Sequence, residues 1–435
     1  MVVNNQKAKK TLGYRWIILI VLLIAYFFVY FHRTSTAVVG TEIVSAVGGS
    51  VALLGSAYFY SYMLMQIPSG LMADRYGVRS LVSVFLLIAA LGAFLMGMGD
   101  SWDTVILGRI LIGLGLGAIY IPMLKVLAVW FRKNEFASLN GVILAVGNAG
   151  AIAAATPLAM LSDALGWQDV FILLAIITLI LAVMCYLIIR NHPSDKGFMS
   201  IEEIVSDETG VVASDSTSAK VSMKSGLITV VTSGRKFWAP AIAYFLLYGT
   251  LMTYEGLWAG TYYNNAYDFE HSASWMITAV GVGMIIGAPL AGLMSDRVFH
   301  SRKRVSITGN IGYAVIWLII FVFAGMINSY AFWIAVNIAM GFTASWMIVT
   351  YAQLKDWFPI AISGTAVATM NVFLFMGAGV MQSLSHFLVD KDSSVSDFRF
   401  LWMIMFICQV VTCILVYLAP ENKKGTEAVV KIKQS

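Results

Sequence analysis

The chain has 435 residues, of which 59% are hydrophobic and only 12% charged, with a formal net charge of +5. An ordinary soluble domain carries about 25% charged residues, and such a domain would have to hide apolar runs like Trp16 to Phe31 and Leu81 to Met98 from water, so a soluble protein is excluded. The three cysteines, Cys185, Cys408 and Cys413, fall inside apolar segments without metal-ligand spacing, and neither a disulfide framework nor a metal site is expected.

A bilayer core about 30 Å thick needs roughly 20 apolar residues per helix. Lys7, Lys9, Lys10 and Arg15 precede the first apolar run, which is too long for a signal peptide and lacks its cleavage pattern. Spans are predicted near 16–39, 51–73, 80–98, 103–128, 138–163 and 168–190. From Arg190 to Lys236 the composition turns to Ser, Thr, Asp and Glu, which reads as a solvated tether, although Ser200 and Glu203 have capping-box spacing for a short surface helix. Six further spans follow near 237–261, 273–295, 304–326, 330–355, 361–388 and 399–419. All must be helices, because lipid offers no partner for backbone N–H and C=O groups. The expected fold is an all-α membrane protein of twelve transmembrane helices: a six-helix unit over 1–190, a linker over 191–236 and a second six-helix unit with its tail over 237–435. Of the 28 basic residues, 23 fall on one face of these spans, only Lys391 and Arg399 on the other, and Arg33, Arg109 and Lys125 within helices. The bias places both termini in the cytoplasm.

An internal repeat relates the two units. Gly70-Leu71-Met72-Ala73-Asp74-Arg75 follows span two and Gly292-Leu293-Met294-Ser295-Asp296-Arg297 follows span eight, 222 residues later, each preceded by a proline (Pro68, Pro289) and followed by basic residues. Gly70 to Arg79, including Gly77, resembles the signature loop of the major facilitator superfamily, and Gly108-Arg109 with Gly113 and Gly117 is similar to that family's helix-four motif. The resemblance implies a transporter whose halves rock about a central site. Gly70, Asp74, Arg75, Gly77, Arg79, Arg109, Asp296 and Arg297 are then gating residues. Physically, the Asp74 carboxylate can meet the positive N-terminus of a neighbouring helix and latch one half to the other, while Lys125 is expected to snorkel to the membrane interface, outside the site.

Ionisable groups inside spans are costly and must face a cavity or a partner. Arg33 in span one and Glu255 in span seven stand at the same offset of 222, so in a repeat-built transporter they face each other across the central cavity. Tyr26 and Tyr30 share a helix face with Arg33, and Tyr244 and Tyr248 with Glu255. Arginine offers a planar fork suited to carboxylate or phosphate oxygens, which makes Arg33 the expected substrate ligand. Tyr30-Phe31-His32-Arg33 also resembles the organophosphate and organic-anion branch of the superfamily, in which an arginine at this depth binds the anion. That branch's phosphate-ester carriers place a second basic residue on helix seven. Glu255 stands there instead, which favours a carboxylate-bearing solute or a zwitterion such as an amino acid or short peptide. A structural ion pair between Arg33 and Glu255 is the competing reading.

A carboxyl group in a low-dielectric cavity can exchange a proton near neutral pH, so Glu255 is the proton-coupling candidate, with His32 as a second. Polar stripes add Tyr58, Tyr62 and Gln66 on span two, Asn140 and Asn148 on span five, and Trp346, Thr350 and Gln353 on span ten; interhelical hydrogen bonding explains each equally well. No nucleophile with its base appears at a recognised spacing, so no enzyme and no cofactor is expected. A solute sensor of transporter type fits the same sequence, though without a signalling domain. The chain is expected to act as a monomer in a bacterial inner membrane, with a small solute and protons as partners and no nucleic acid.

Overall fold

The computed structural model describes residues 2–132, 135–209, 223–267, 269, 273–358 and 360–420, and among them there are helices and connections but no strand. The first set of helices is α1 (Val2–Val47), α2 (Val51–Tyr76), α3 (Val78–Met98), α4 (Trp102–Gly117), α5 (Tyr120–Trp130), α6 (Phe136–Ala153), α7 (Thr156–Leu165) and α8 (Trp167–Ile188). Two short helices follow, α9 (Ile201–Thr209) and α10 (Met223–Val231). The second set is α11 (Arg235–Thr253), α12 (Ala259–Tyr267), α13 (Ala273–Leu293), α14 (Arg302–Phe323), α15 (Tyr330–Ala344), α16 (Ile348–Trp357), α17 (Ile360–Ser385) and α18 (Val395–Leu418). Among the described residues nine helical stretches are long and apolar enough to cross a bilayer, and ten when the bent pair α6–α7 counts as one. The α2 and α11–α12 rods carry buried polar groups instead, Ser61 and Gln66 in one, Thr250, Thr253 and Glu255 in the other.

Four segments read from sequence as single spans are interrupted. Pro122 cannot donate to the carbonyl of residue 118, and the helix breaks between α4 and α5; Pro157 does the same at the α6–α7 break, where the axis bends by 40°. A π-turn at Tyr254–Trp258 joins α11 to α12, and a 3-10 turn at Ser345–Met347 joins α15 to α16. The first helix also extends beyond the expected 16–39 at both ends.

Close approach within each set rests on the same device. A Cβ added to Gly150 would lie 2.1 Å from the Phe27 carbonyl oxygen, and one added to Gly377 would lie 2.1 Å from that of Phe245. Only glycine lets α6 lie on α1, and α17 on α11, at that distance.

The segment read as a plain tether is docked. Ser200 and Glu203 form the capping box of α9, with the Ser200 amide donating to Glu203 Oε2 (2.7 Å) and the Glu203 amide to Ser200 Oγ (3.2 Å). Ile201 and Ile204 are buried, Thr11 donates to the Met199 carbonyl (2.8 Å), and the Lys196 ammonium sits 4.1 Å from the Tyr14 ring centre. Arg15 grips Glu135 with both arms of its fork (2.9 and 3.0 Å), while Arg132 donates its amide to Glu135 (2.8 Å) and its side chain to Glu208 of α9 (2.6 Å). Burial alone would raise the Glu135 carboxyl, but the Arg132 amide and the Arg15 fork outweigh it and hold the group below its ordinary range. A depressed carboxylate stabilises the fold fully above its unfolded value, about 4.3, and that contribution is lost as pH falls through the lower folded value. Thermal melts from pH 6 down to pH 3 are therefore expected to lose less stability in Glu135→Gln than in the native chain; parallel curves would show that the pair contributes nothing.

Candidate functional site

Helix α1 packs along the π-turn and α12, and the approach of Gly260 to the Ala37 carbonyl sets Arg33 and Glu255 at one level. Arg33 is 6% exposed. Its Nη1 donates to the Tyr248 hydroxyl (2.9 Å), and its guanidinium lies 3.5 Å from the centre of the Tyr30 ring, a cation–π contact. Its Nε has no partner. Glu255 is 2% exposed, and its Oε2 has no partner either. The two groups are within electrostatic reach, but among the described residues no ion pair joins them. A buried charge left without an ion-pair partner is expensive, so each of the two groups is suited to taking a further partner.

The wall around Arg33 is aromatic. Tyr26 lies against Tyr30 (5.2 Å between ring centres) and stacks on Tyr120 (5.4 Å); Tyr62 meets Tyr58 (5.6 Å) and, from the other set of helices, Phe375 (4.4 Å), which also meets Tyr248 (5.7 Å). Gly147 abuts the rings of Tyr26 and Tyr30, and Asn148, next to it in the chain, is half-buried. Gln66 is buried one turn from Tyr62, with both amide atoms unpartnered. Two tyrosines escaped the sequence reading. Tyr120 donates to Asn140 (3.1 Å) and Tyr351 to Asn371 (2.6 Å), each pair separated by 20 residues, and the recurrence of that spacing was the available signal. On the side of Arg33 remote from Val2 the two sets of helices are bridged by Ser50–His386 (2.9 Å), Tyr60–Ser383 (3.1 Å), Thr156–Thr278 (3.1 Å) and Lys391–Ser45 (3.0 Å).

Three candidates lie elsewhere. His32 is fully buried, with both ring nitrogens unpartnered and its ring 6.3 Å from Phe171 of α8, so α1 turns it away from Glu255. Arg109 is fully buried and donates to the carbonyls of His32 (2.7 Å) and Leu54 (3.3 Å), tying α4 to α1 and α2 within one set of helices. Trp346 packs its Cβ over Gly309 of α14 and its ring against Phe342; the 3-10 turn rotates the Trp346–Thr350–Gln353 stripe into the second set of helices, away from Arg33.

The loop motif is organised by Gly77. Its φ of 80° suits glycine, and an added Cβ would fall 2.3 Å from the Asn191 side chain, which accepts from the Arg79 amide (3.1 Å). Arg79 Nε donates to the Tyr186 carbonyl (2.6 Å), Arg75 is exposed beside the Tyr76 ring, and Gly70 faces Ile121. The expected partner of Asp74 was the N-terminus of a neighbouring helix, in a contact that latches one half to the other. It is Lys125 of α5 instead, whose ammonium meets Asp74 Oδ1 (2.6 Å) and the Ala73 carbonyl (2.9 Å), a contact within the first set of helices. Lys125 is thus held at the end of α2 rather than released to the interface. Asp296 and Arg297 lie on a second π-turn, Met294–Val298, with side chains outside the described residues. If the pair sets the balance between conformations, Asp74→Asn and Lys125→Met are each expected to slow transport several-fold at saturating solute, and the double variant to be no slower than either. Additive losses would separate the two residues.

Helices long enough to span, broken at mid-length, with a buried unpaired cation and carboxylate between two sets, define a multi-pass membrane transporter. The chain belongs to the Major Facilitator Superfamily, whose model matches residues 22–273 and 266–434. It is 24% identical to a probable sulfoacetate transporter of Cupriavidus necator over 89% of this chain and 90% of that one. It is 23% identical to a hexuronate transporter of Bacillus subtilis over 80% of each. A solved D-xylose–proton symporter shares the fold with a TM-score of 0.73 at 16% identity, covering 94% of this chain and 99% of the other.

Proposed function

We propose that this chain is a secondary transporter that carries a small carboxylate-bearing organic anion through the cell membrane by alternating access, with Glu255 exchanging the coupled proton. The observation that carries the reading is the buried Arg33 fork, held by Tyr248 and Tyr30 yet not neutralised by Glu255. A carboxylate completes Arg33 with charge-assisted bonds, and a proton on Glu255 removes the other unpaired charge. The relatives named for sulfoacetate and hexuronate transport support an acidic solute. In this reading α2 and α11–α12 join the apolar stretches to make twelve spans, two six-helix units over 1–190 and 237–435 rock about Arg33, the linker over 191–236 and both termini face the cytoplasm, and the bridges from Ser45 to Lys391 seal the outer side. The partnerless Oε2 of Glu255 favours one other solute class, zwitterions whose ammonium would meet it.

The test is uptake into proteoliposomes of radiolabelled hexuronate and other organic acids, in competition with amino acids, dipeptides, phosphate esters and neutral sugars, with and without an inward proton gradient. Competition by acids and gradient-driven accumulation are expected. Competition by zwitterions alone would move the assignment to the second class, and binding without flux would identify a sensor.

A further inference from the structure

Away from the central site a small cavity of about 10 Å³, room for one water-sized occupant and partly open to solvent, lies between α11, α14, α16 and α18. Its apolar side is formed by Pro240, Ala243, Leu247, Val416 and Ala419, and its polar side by Tyr244, Ser306, Asn310, Thr350 and Gln353. All belong to the second set of helices, so neither Arg33 nor any residue of α1 to α8 reaches it. Thr350 and Gln353 belong to the span-ten stripe, which the central site does not use.

The proton assignments around this space leave acceptors facing it. Asn310 is 5% exposed; its Nδ2 donates to the Ser306 carbonyl (2.7 Å), which fixes the orientation of the amide and leaves Oδ1 without a partner. The Tyr244 hydroxyl donates to the Met347 carbonyl at the 3-10 turn, so it offers only lone pairs to anything else. The Ser306 and Thr350 hydroxyls stand 3.5 Å apart and rotate freely enough to present oxygen. Among the described residues no charged side chain lines the space.

We propose that this pocket binds a monovalent alkali cation, sodium or potassium, through the neutral oxygens of Tyr244, Ser306, Asn310, Thr350 and Gln353. The unpartnered Asn310 Oδ1 and the lone pairs of the Tyr244 hydroxyl favour a cation over an anion. A divalent cation generally draws carboxylate ligands, and among the described residues none lines the pocket. Neutral side-chain and backbone oxygens beside an interrupted helix are a setting in which secondary transporters hold a singly charged ion, and the interruption here is the turn between α15 and α16. The ion would tie α16 to α14 and α11 across that turn.

Melting of the purified chain in detergent, without any solute, tests the site independently of the organic-anion reading. Titration with NaCl or KCl is compared with N-methylglucamine chloride at constant ionic strength. A saturable rise of about 2 °C or more with one alkali cation is expected from mass action. Thr350→Val should raise the half-saturating concentration at least roughly tenfold. Gln353→Glu, which adds a carboxylate to the same oxygens, should lower it by about as much; this second variant gains binding, so its result does not depend on tolerance of a loss. Identical melting in all three salts, or a half-saturating concentration unchanged in both variants, would show a pocket that holds only water and overturn the proposal.

Discussion

Replacing Arg33 with lysine is expected to lower solute affinity by roughly tenfold to a hundredfold, the equivalent of about 1.5–3 kcal/mol for a buried charge-assisted contact. Lysine retains the charge but not the planar fork, and its four-carbon stem cannot at once lie flat on Tyr30 and donate to Tyr248 as the guanidinium does. Binding of the best acid found by the competition assay, followed by calorimetry or thermal shift, reads the loss directly. Because the Tyr30 and Tyr248 contacts are intramolecular, part of the penalty falls on the resting protein, so Arg33→Lys should also melt at a lower temperature than the native chain. An unchanged affinity would remove Arg33 from the site.

Glu255→Gln is expected to abolish gradient-driven accumulation while leaving solute exchange between the two sides at a rate within a few-fold of native. Glutamine keeps the size of the side chain and its place on the π-turn but cannot carry the proton. If Glu255 instead meets an ammonium group, only amine-bearing solutes should lose affinity. The structural-pair reading makes a different forecast: each single change would reduce folded yield, and Arg33→Met with Glu255→Met would restore yield without transport. The absence of an ion pair between the two groups argues for the functional forecasts, since removing one member of a true buried pair strands the other. Native accumulation and native affinity in both Arg33→Lys and Glu255→Gln would move the site toward Gln66, Asn148 and the tyrosines around them.

Much of this protein was legible before any coordinates. The apolar runs announce helices because the bilayer leaves the backbone no alternative, and the repeated Gly-Leu-Met and Asp-Arg loop ties the two sets of helices together. Arg33 and Glu255 stood out because an ionisable side chain inside an apolar run is rare and costly, and both are buried in the folded chain. Tyr120 and Tyr351 did not stand out, since a tyrosine inside a span carries no charge and reads equally well as packing. Their pairing with Asn140 and Asn371 depends on the crossing of neighbouring helices, which no periodicity within one helix reports.

Composition and charge placement determined by themselves that the chain lives in a membrane, that its regular structure is helical, and which charges must be sheltered, because these follow from solvation energies that depend on residue type alone. The tertiary structure decided which groups meet. Lys125 pairs with Asp74 and His32 turns toward Phe171, while Trp346, Thr350 and Gln353 rotate away from Arg33. Each of these outcomes is set by breaks at Ala118–Ile119 and Ser345–Met347 or by the rotation of a helix about its own axis. A rotation of a few tens of degrees changes the neighbour of a side chain while leaving the hydrophobic pattern of the helix unaltered, so only packing against the other helices could select it.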